Sequence, residues 1–482
     1  MTDAQHLWTI GDICAVTNGK TNDRKAATKS DGIITGISID SREIKAGNLF
    51  VALPGTVSDG HKFLAAAQSA GAGAAMVSKI DNALDLPQIC VSDCLRALRQ
   101  LGVAGRARFG GIQFGITGSV GKTGSKEMLR HALSQFGSCY ASQRSFNNNI
   151  GVPISLANLP QNADFAVQEM GMNAAGEIAE LTRLTRPQIA FITRIADNHS
   201  AFFASIADIA TAKAEIFQAI EGRSIAILNR DDTFYKNLLD AAIAAGVRQV
   251  ISFGHHPEAT YRLVSITDHS EGMTIKACFA GTDYVFELRM YGHHLAENAI
   301  GVLACIAATG LPADKAAAAL FDCQPPSGRG QRQSGIYNNC KISIIDDSYN
   351  ASPASMAAAF NSLATTPPHI MVLSEMRELG AATNSAHAAL APQINKLAPR
   401  VVIAIGSAMH DMLNNLDQSV IAVAATDIEG AVKELNHAII NGDRIFIKGS
   451  NGSGAWRVRD AVCVAMTSDA PKRTLKGASH VA

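Results

Sequence analysis

The chain reads as an α/β protein of three domains, and three observations predict it. Short apolar runs alternate with longer amphipathic segments almost from end to end, the pattern of mainly parallel sheets flanked by helices. At 482 residues, 47% of them hydrophobic, the chain is too long for one core. A breaker-rich stretch, Pro-Pro-Ser-Gly-Arg-Gly at 325–330, separates two runs of strand–helix alternation.

The elements follow in order. The run from Ala67 to Ser78 and the strand LPQICV form a compact α/β unit that ends near Arg108. From Gly110 the pattern predicts a strand Ile112–Ile116, a helix Lys122–Gln135, a strand Phe165–Glu169 and a helix near Ile178. It continues with a strand Ile189–Thr193, a helix Ile206–Ile220 and a strand Ile225–Leu228. This is a doubly wound nucleotide-binding core. Between Ala259 and Met290, TYRLVSITD, MTIKACFA and DYVFELRM alternate without helices, predicting a small antiparallel sheet. Strand–helix alternation resumes at KISIIDDSYN. The expected domains are therefore 1–108, 109–322 and 323–482, with the polar, basic stretch from Ser468 to Ala482 a frayed tail.

Composition excludes several classes. Lysine plus arginine equals aspartate plus glutamate at 42 each, so no overall field draws the chain to nucleic acid or an anionic membrane. No apolar run approaches the roughly 20 residues of a membrane helix, and the N-terminus has no secretory pattern, so a cytoplasmic protein is expected. The nine cysteines are scattered, which suits reduced core thiols. The pairs His255–His256 and His293–His294 lack a third ligand at zinc spacing. Gly449-Ser-Asn-Gly452-Ser-Gly454 mimics a dinucleotide fingerprint, but the chain ends before a second strand could supply its acidic residue.

The strongest chemical signal is Gly115-Ile-Thr-Gly-Ser-Val-Gly-Lys-Thr123, between an apolar strand and an amphipathic helix. Gly118, Ser119, Val120, Gly121 and Gly124 frame a loop whose backbone amides can face phosphate oxygens. Lys122 can reach the β- and γ-phosphates and Thr123 can hold Mg²⁺. Glu169 ends a strand at the carboxyl edge, where ligands of open α/β sheets collect, and is a candidate for the same cation. His199, after the next strand, and Lys213, on the following helix, fall at the same edge.

These segments together resemble the Mur ligase family, over nearly the whole chain. ISIDSREIKAGNLFVALPG, ITGSVGKTGSKEML, SFNNNIGVPISL, QEMGMNAAGEIAEL, HSAFF, AKAEIF and IIDDSYNASPASMAAAF stand in the family's order, the last resembling its D-alanyl-D-alanine-adding branch. The resemblance implies an N-terminal substrate-binding α/β unit, a central P-loop ATPase domain and a Rossmann-like C-terminal domain. It implies ATP-dependent ligation of D-alanyl-D-alanine to UDP-N-acetylmuramoyl-tripeptide, a step of cell-wall peptidoglycan synthesis, by a cytoplasmic monomer.

Residue roles follow from the same resemblance. Ser41 and Arg42 would contact the UDP part, with Asn148 and Asn149 also on the substrate. Thr123 and Glu169 would hold one Mg²⁺, His199 a second, and Lys213 matches a lysine that many members carboxylate. Lys122, His199 and Lys213 would form the catalytic set. Asn298 would read adenine with His294 nearby, and Arg329, Asp347, Asn350 and Ala351 would reach the nucleotide, with Lys448 serving the same site. The chain departs from the pattern at Gly124, Arg194, Ala201 and Glu375. Domain closure, with hinges near 107–110 and 323–330, is expected to exclude water from the reaction. The competing readings are another Mur-type amino-acid ligase and a P-loop regulatory ATPase that makes no bond.

Overall fold

The computed structural model describes residues 6–22, 32–55, 58–143, 145–197, 203–219, 224–269 and 272–467. His199, Ala201 and the expected tail from Ser468 lie outside the described residues. Contacts divide the chain into two compact units. The first comprises Met1–Ala196, Phe202–Arg289 and Leu295–Cys323, and the second Asp197–Ala201, Met290–His294 and Gln324–Ala482.

Among its described residues the first unit contains two large sheets, besides a short antiparallel pairing of Trp8–Thr9 with Ile33–Ile34. Near the N-terminus, strands β1 (Lys20–Thr21), β2 (Gly36–Ser38), β3 (Asn48–Val51), β4 (Ala74–Val77) and β5 (Gln88–Cys90) lie in the order β1-β5-β4-β3-β2. All neighbours are parallel except β1 against β5. β3 and β4 are buried at every residue, as strands covered on both faces must be. Helix α1 (Cys94–Arg108) follows, its first turn capped by Asp93, whose carboxylate accepts from the amides of Leu95 and Arg96.

The second sheet of this unit carries the nucleotide-binding pattern. Its elements are β6 (Ile112–Thr117), α2 (Lys122–Leu133), β7 (Cys139–Ala141), α3 (Gly151–Ala157), β8 (Phe165–Glu169), α4 (Glu177–Thr185), β9 (Ile189–Ile192) and α5 (Ile206–Ala214). β10 (Ile225–Asn229), α6 (Tyr235–Ala244), β11 (Gln249–Gly254), β12 (Tyr261–His269), β13 (Gly272–Phe279), β14 (Thr282–Leu288) and α7 (His293–Ala307) follow. The strand order is β14-β13-β12-β11-β10-β9-β6-β8-β7. β6 thus sits between β8 and β9, at the point where successive strands switch direction across the sheet, and the carboxyl ends of all three open on one edge. The three antiparallel strands β12–β14 are continuous with the parallel sheet, because β12 pairs parallel with β11 through Phe253↔Tyr261 and Gly254↔Arg262.

The segment around Arg108 is not a loose joint. Helix α1 lies directly on α3, where a Cβ on Gly102 would be 3.0 Å from Pro153 and one on Gly105 only 2.1 Å from the Leu156 carbonyl. Arg106 donates from Nε to the Thr185 carbonyl at 2.6 Å and from Nη2 to the Arg186 carbonyl at 2.9 Å. These bonds satisfy carbonyls at the C-terminus of α4. Trp8 Nε1 donates to the Ala157 carbonyl at 2.8 Å, and Asn158 bonds both the amide and the carbonyl of Ile37. The two sheets of the first unit are pinned together at several independent points.

In the second unit, β15 (Gln331–Tyr337) and β16 (Cys340–Asp347) form a hairpin whose turn residues Asn338 and Asn339 have φ of 48° and 62°. Both values are those of a type I′ turn, and asparagine tolerates them. Helix α8 (Pro353–Leu363), β17 (Ile370–Ser374), β18 (Val401–Ile405), β19 (Ile421–Ala425), β20 (Asp443–Lys448) and α9 (Ala455–Ala465) complete the fold. The order β15-β16-β20-β17-β18-β19 is parallel beyond the hairpin. Successive side chains on these strands enter two separate cores, one around Met371, Leu373 and Val402, the other around Ile370, Val372 and Ile403.

The packing of α1 on α3 predicts a specific sensitivity. Gly105→Ala would gain about 1 kcal/mol of helix propensity, but its Cβ would collide with a main-chain oxygen, and overpacking of this kind costs about 1–3 kcal/mol or more. The variant should therefore melt below the wild type, whereas Gly110→Ala, with nothing within 4 Å of its added Cβ, should not. Equal melting temperatures for the two variants would contradict the close contact.

Candidate nucleotide site

The phosphate loop leaves β6 after Thr117 and enters α2 at Lys122. Gly118 has φ +149°, and a Cβ there would be 1.9 Å from Thr193 Oγ1; Gly121 has φ +87°, and its Cβ would be 2.8 Å from Asn298 Nδ2. Both positions demand glycine, by conformation and by space. The loop is held from the end of β9: Ser119 N donates to the Arg194 carbonyl at 2.7 Å and Thr193 Oγ1 to the Val120 carbonyl at 2.6 Å. Gly124, by contrast, has room for a side chain, the nearest atom to an added Cβ being Leu295 Cδ2 at 3.8 Å. Arg194 contributes its carbonyl to the loop and turns its guanidinium to Glu297 at 3.1 Å.

Lys122 Nζ folds back to donate to the Gly118 carbonyl at 2.6 Å and the Ser119 carbonyl at 3.2 Å. Thr123 Oγ1 donates to Glu169 Oε2 at 2.8 Å, and Asn147 Nδ2 donates to Glu169 Oε1 at 2.7 Å. Glu169 is only 1% exposed. A buried carboxylate with one hydroxyl and one amide as its partners, beside a phosphate loop, is an oxygen donor set suited to a hard divalent cation.

Lys213 comes from α5 and is also 1% exposed. Burial, and then the nearby charge of Lys122, hold its amine well below the usual lysine range. Lys122, Thr123 and Glu169 therefore share one edge of the sheet, and the charge of Lys122 is felt at Lys213.

The three members of the asparagine run differ in their contacts. Asn148 Oδ1 accepts from the amides of Ile150 and Gly151 at 3.1 and 2.8 Å and so starts α3, while Asn149 is exposed. The residue that reaches the carboxylate is Asn147. Three identical neighbours give no sequence signal for which one points inward.

Asn298, buried on α7, lies against Gly121 in the first unit, while His294 belongs to the second. Ser41 opens a short 3₁₀ turn beyond β2, and the exposed Arg42 guanidinium pairs with both oxygens of Asp40.

The second unit gathers its own polar edge. Lys448 Nζ, at the end of β20, donates to Asp347 Oδ2 at 2.6 Å and to the Asn350 carbonyl at 3.0 Å. Asn350 Oδ1 accepts from the amide of Ala351 at 3.0 Å, and the Arg329 guanidinium lies 4.2 Å from the Tyr349 ring centroid. The loop after β17 is tied by His387, which accepts at Nε2 from the Met376 amide at 2.9 Å and faces the Thr383 carbonyl with Nδ1 at 2.6 Å.

Three family models match the chain: the Mur ligase family, catalytic domain over residues 33–103, the Mur ligase middle domain over 116–306, and the Mur ligase, glutamate ligase domain over 328–451. The UDP-N-acetylmuramoyl-tripeptide--D-alanyl-D-alanine ligase of Rickettsia prowazekii is 32% identical over 86% of this chain and 92% of its own. A crystal structure of MurF from Acinetobacter baumannii is similar with a TM-score of 0.80 and 26% identity, covering 94% of this chain and 98% of that one. MurF from Thermotoga maritima in complex with ADP shares the fold, with a TM-score of 0.73 and 23% identity over 90% of this chain and 98% of that one. With the phosphate loop, the buried carboxylate and all three domain matches in agreement, the chain belongs to the Mur ligase family.

Proposed function

We propose that this protein joins D-alanyl-D-alanine to UDP-N-acetylmuramoyl-tripeptide at the expense of ATP, giving the pentapeptide precursor of peptidoglycan. The observation that carries the reading is the phosphate loop whose Thr123 is bonded to the buried Glu169, in a chain that also bears DDSYNASP at the edge of its second unit. The R. prowazekii relative, which matches over most of both chains, carries this activity in its name.

A carboxylate is a poor electrophile at neutral pH, so amide formation needs a better leaving group. The tripeptide carboxylate attacks the γ-phosphorus of ATP, forming an acyl phosphate and releasing ADP. Lys122, leaving the carbonyls of Gly118 and Ser119, offsets the charge that accumulates on the phosphate oxygens, while the amides of the loop hold the nucleotide in place. Thr123 and Glu169 would hold Mg²⁺, which supplies charge neutralisation when bound. His199 is assigned to a second ion by the family pattern. The dipeptide amine then attacks the acyl carbon, and the tetrahedral intermediate collapses to the amide and inorganic phosphate.

Burial beside Lys122 lowers the pKa of the Lys213 amine and so favours its neutral, nucleophilic form. In that form it adds to carbon dioxide, losing a proton and becoming an anionic carbamate fit for a cation; we assign that modification here. Ser41, Arg42, Asn148 and Asn149 are assigned to the UDP-linked substrate, and Asn298 and His294 to adenine. Arg329, Asp347, Asn350, Ala351 and Lys448 are assigned to the nucleotide. We keep the division at 1–108, 109–322 and 323–482, and take the enzyme to be a cytoplasmic monomer.

Phosphate release from ATP by the purified protein tests the reading, with UDP-muramoyl-tripeptide and D-alanyl-D-alanine supplied singly and together. Release only with both, and a product heavier by one dipeptide residue, is expected. Release with neither would point instead to a regulatory ATPase, and release with a single amino acid to another ligase of the family.

Asn147→Ala would leave Glu169 Oε1 without its amide donor. Because partners that orient a metal-bound carboxylate change metal affinity about 10–100-fold, the Mg²⁺ concentration for half-maximal phosphate release should rise by that order. An unchanged Mg²⁺ dependence would remove Asn147 from the site.

A further inference from the structure

The second unit contains a buried carboxylate that the proposed reaction does not use. Asp346, one residue before the end of β16, is 1% exposed. Its Oδ2 accepts from the Gly328 amide at 2.8 Å and from Arg459 Nη1 on α9. Its Oδ1 accepts from the Ser348 amide at 3.2 Å and from Ser348 Oγ at 2.5 Å. Arg459 Nη1 also reaches Ser327 Oγ at 2.8 Å. One carboxylate therefore ties together two loops, 327–330 and 347–350.

The main chain closes the same junction. Gly330 N donates to the Asp346 carbonyl at 2.8 Å and Tyr349 N to the Gly328 carbonyl at 3.0 Å. Gly328 has φ +76°, and a Cβ on it would lie 2.9 Å from Tyr349 Cβ, so the two loops are in contact at backbone distance. On this junction the Arg329 guanidinium stacks against Tyr349, and Asp347 meets Lys448. Adjacent residues of a strand point to opposite sides. Asp346 is turned inward to Arg459, and Asp347, with a side chain 22% exposed, is turned to the sheet edge.

A buried ion pair gives little net stability compared with apolar residues of the same volume, but it can fix a single arrangement of the groups bonded to it. We propose that Asp346 and Arg459 are positioning residues that hold Arg329 and Asp347 in the geometry needed for the nucleotide. This rests on the reading that Arg329 and Asp347 reach the nucleotide in a D-alanyl-D-alanine-adding ligase. The pair acts only through the loops and does not touch substrate.

Steady-state kinetics of Arg459→Met, Arg459→Lys and Asp346→Asn, with each substrate varied in turn, test it. Arg459→Met should raise KM for ATP and lower kcat, together by about 10–100-fold in kcat/KM, the order seen when an orienting partner is lost. KM for UDP-muramoyl-tripeptide should stay at the wild-type value, and Arg459→Lys should recover part of the loss. If Asp346→Asn does not fold, Ser348→Ala, which removes one donor to Oδ1, should show the same selectivity on a smaller scale. Wild-type kinetics in Arg459→Met, or equal changes in the KM of every substrate, would overturn the proposal. A wild-type enzyme that releases no phosphate with both substrates present would instead remove the reading beneath it.

Discussion

Two lysines placed near the same phosphate loop set the terms for the catalytic edge. Lys122 and Lys213 repel one another, and Lys213 is buried to 1% exposure, so both burial and its neighbour's charge disfavour a second ammonium. Lys122 Nζ rests on the carbonyls of Gly118 and Ser119. Lys213 holds its proton less tightly than an ordinary lysine. Opposite them, Glu169 is a buried carboxylate held by Thr123 and Asn147.

The fold makes this juxtaposition without strain in the strands themselves. Placing β6 between β8 and β9 brings the loop, Glu169 and the anchor pair Thr193–Arg194 to one edge. The adjustments are carried by Gly118 and Gly121, where no other residue fits. The first sheet of the same unit is pinned through α1 on α3, so the segment that delivers Asn147 and starts α3 rests on a fixed base. In the second unit the corresponding constraint is Asp346, which fixes two loops with the two oxygens of one carboxylate.

Much of this was legible in the sequence because the chemistry leaves few alternatives. A Gly-Lys-Thr loop between an apolar strand and an amphipathic helix has a narrow structural meaning, and Glu169 at a strand end could be placed at the carboxyl edge by alternation alone. The predicted strand Phe165–Glu169 is reproduced residue for residue, whereas the helix expected to run to Ile220 becomes α5 to Ala214 and then a 3₁₀ turn Glu215–Phe217. Other features were not readable. α3 is buried all round, so it has no amphipathic period to detect. Asn147 cannot be told from Asn148 without the turn that separates them. Gly102 and Gly105 serve close packing of α1 on α3, and the sequence carries no signal for what faces them. Asp346 is one of two adjacent aspartates, and which one anchors depends on the strand's register.

The central claim is that burial and the charge of Lys122 disfavour the charged form of Lys213 in the folded protein, and the pH dependence of stability tests it most directly. Because its folded pKa lies below the ordinary lysine value, the unfolded chain binds a proton that the native state does not in the interval between the two. The resulting destabilisation is full below the folded pKa and fades as pH rises toward the unfolded one. Unfolding free energies of the wild type and Lys213→Met, compared from neutral to alkaline pH in carbon dioxide-free buffer, should therefore show the variant more stable at neutral pH, with the difference shrinking as pH rises. A difference independent of pH would mean that folding leaves the Lys213 pKa unshifted, and a wild type that loses stability relative to the variant as pH rises would mean a stabilised cation; either would contradict the account.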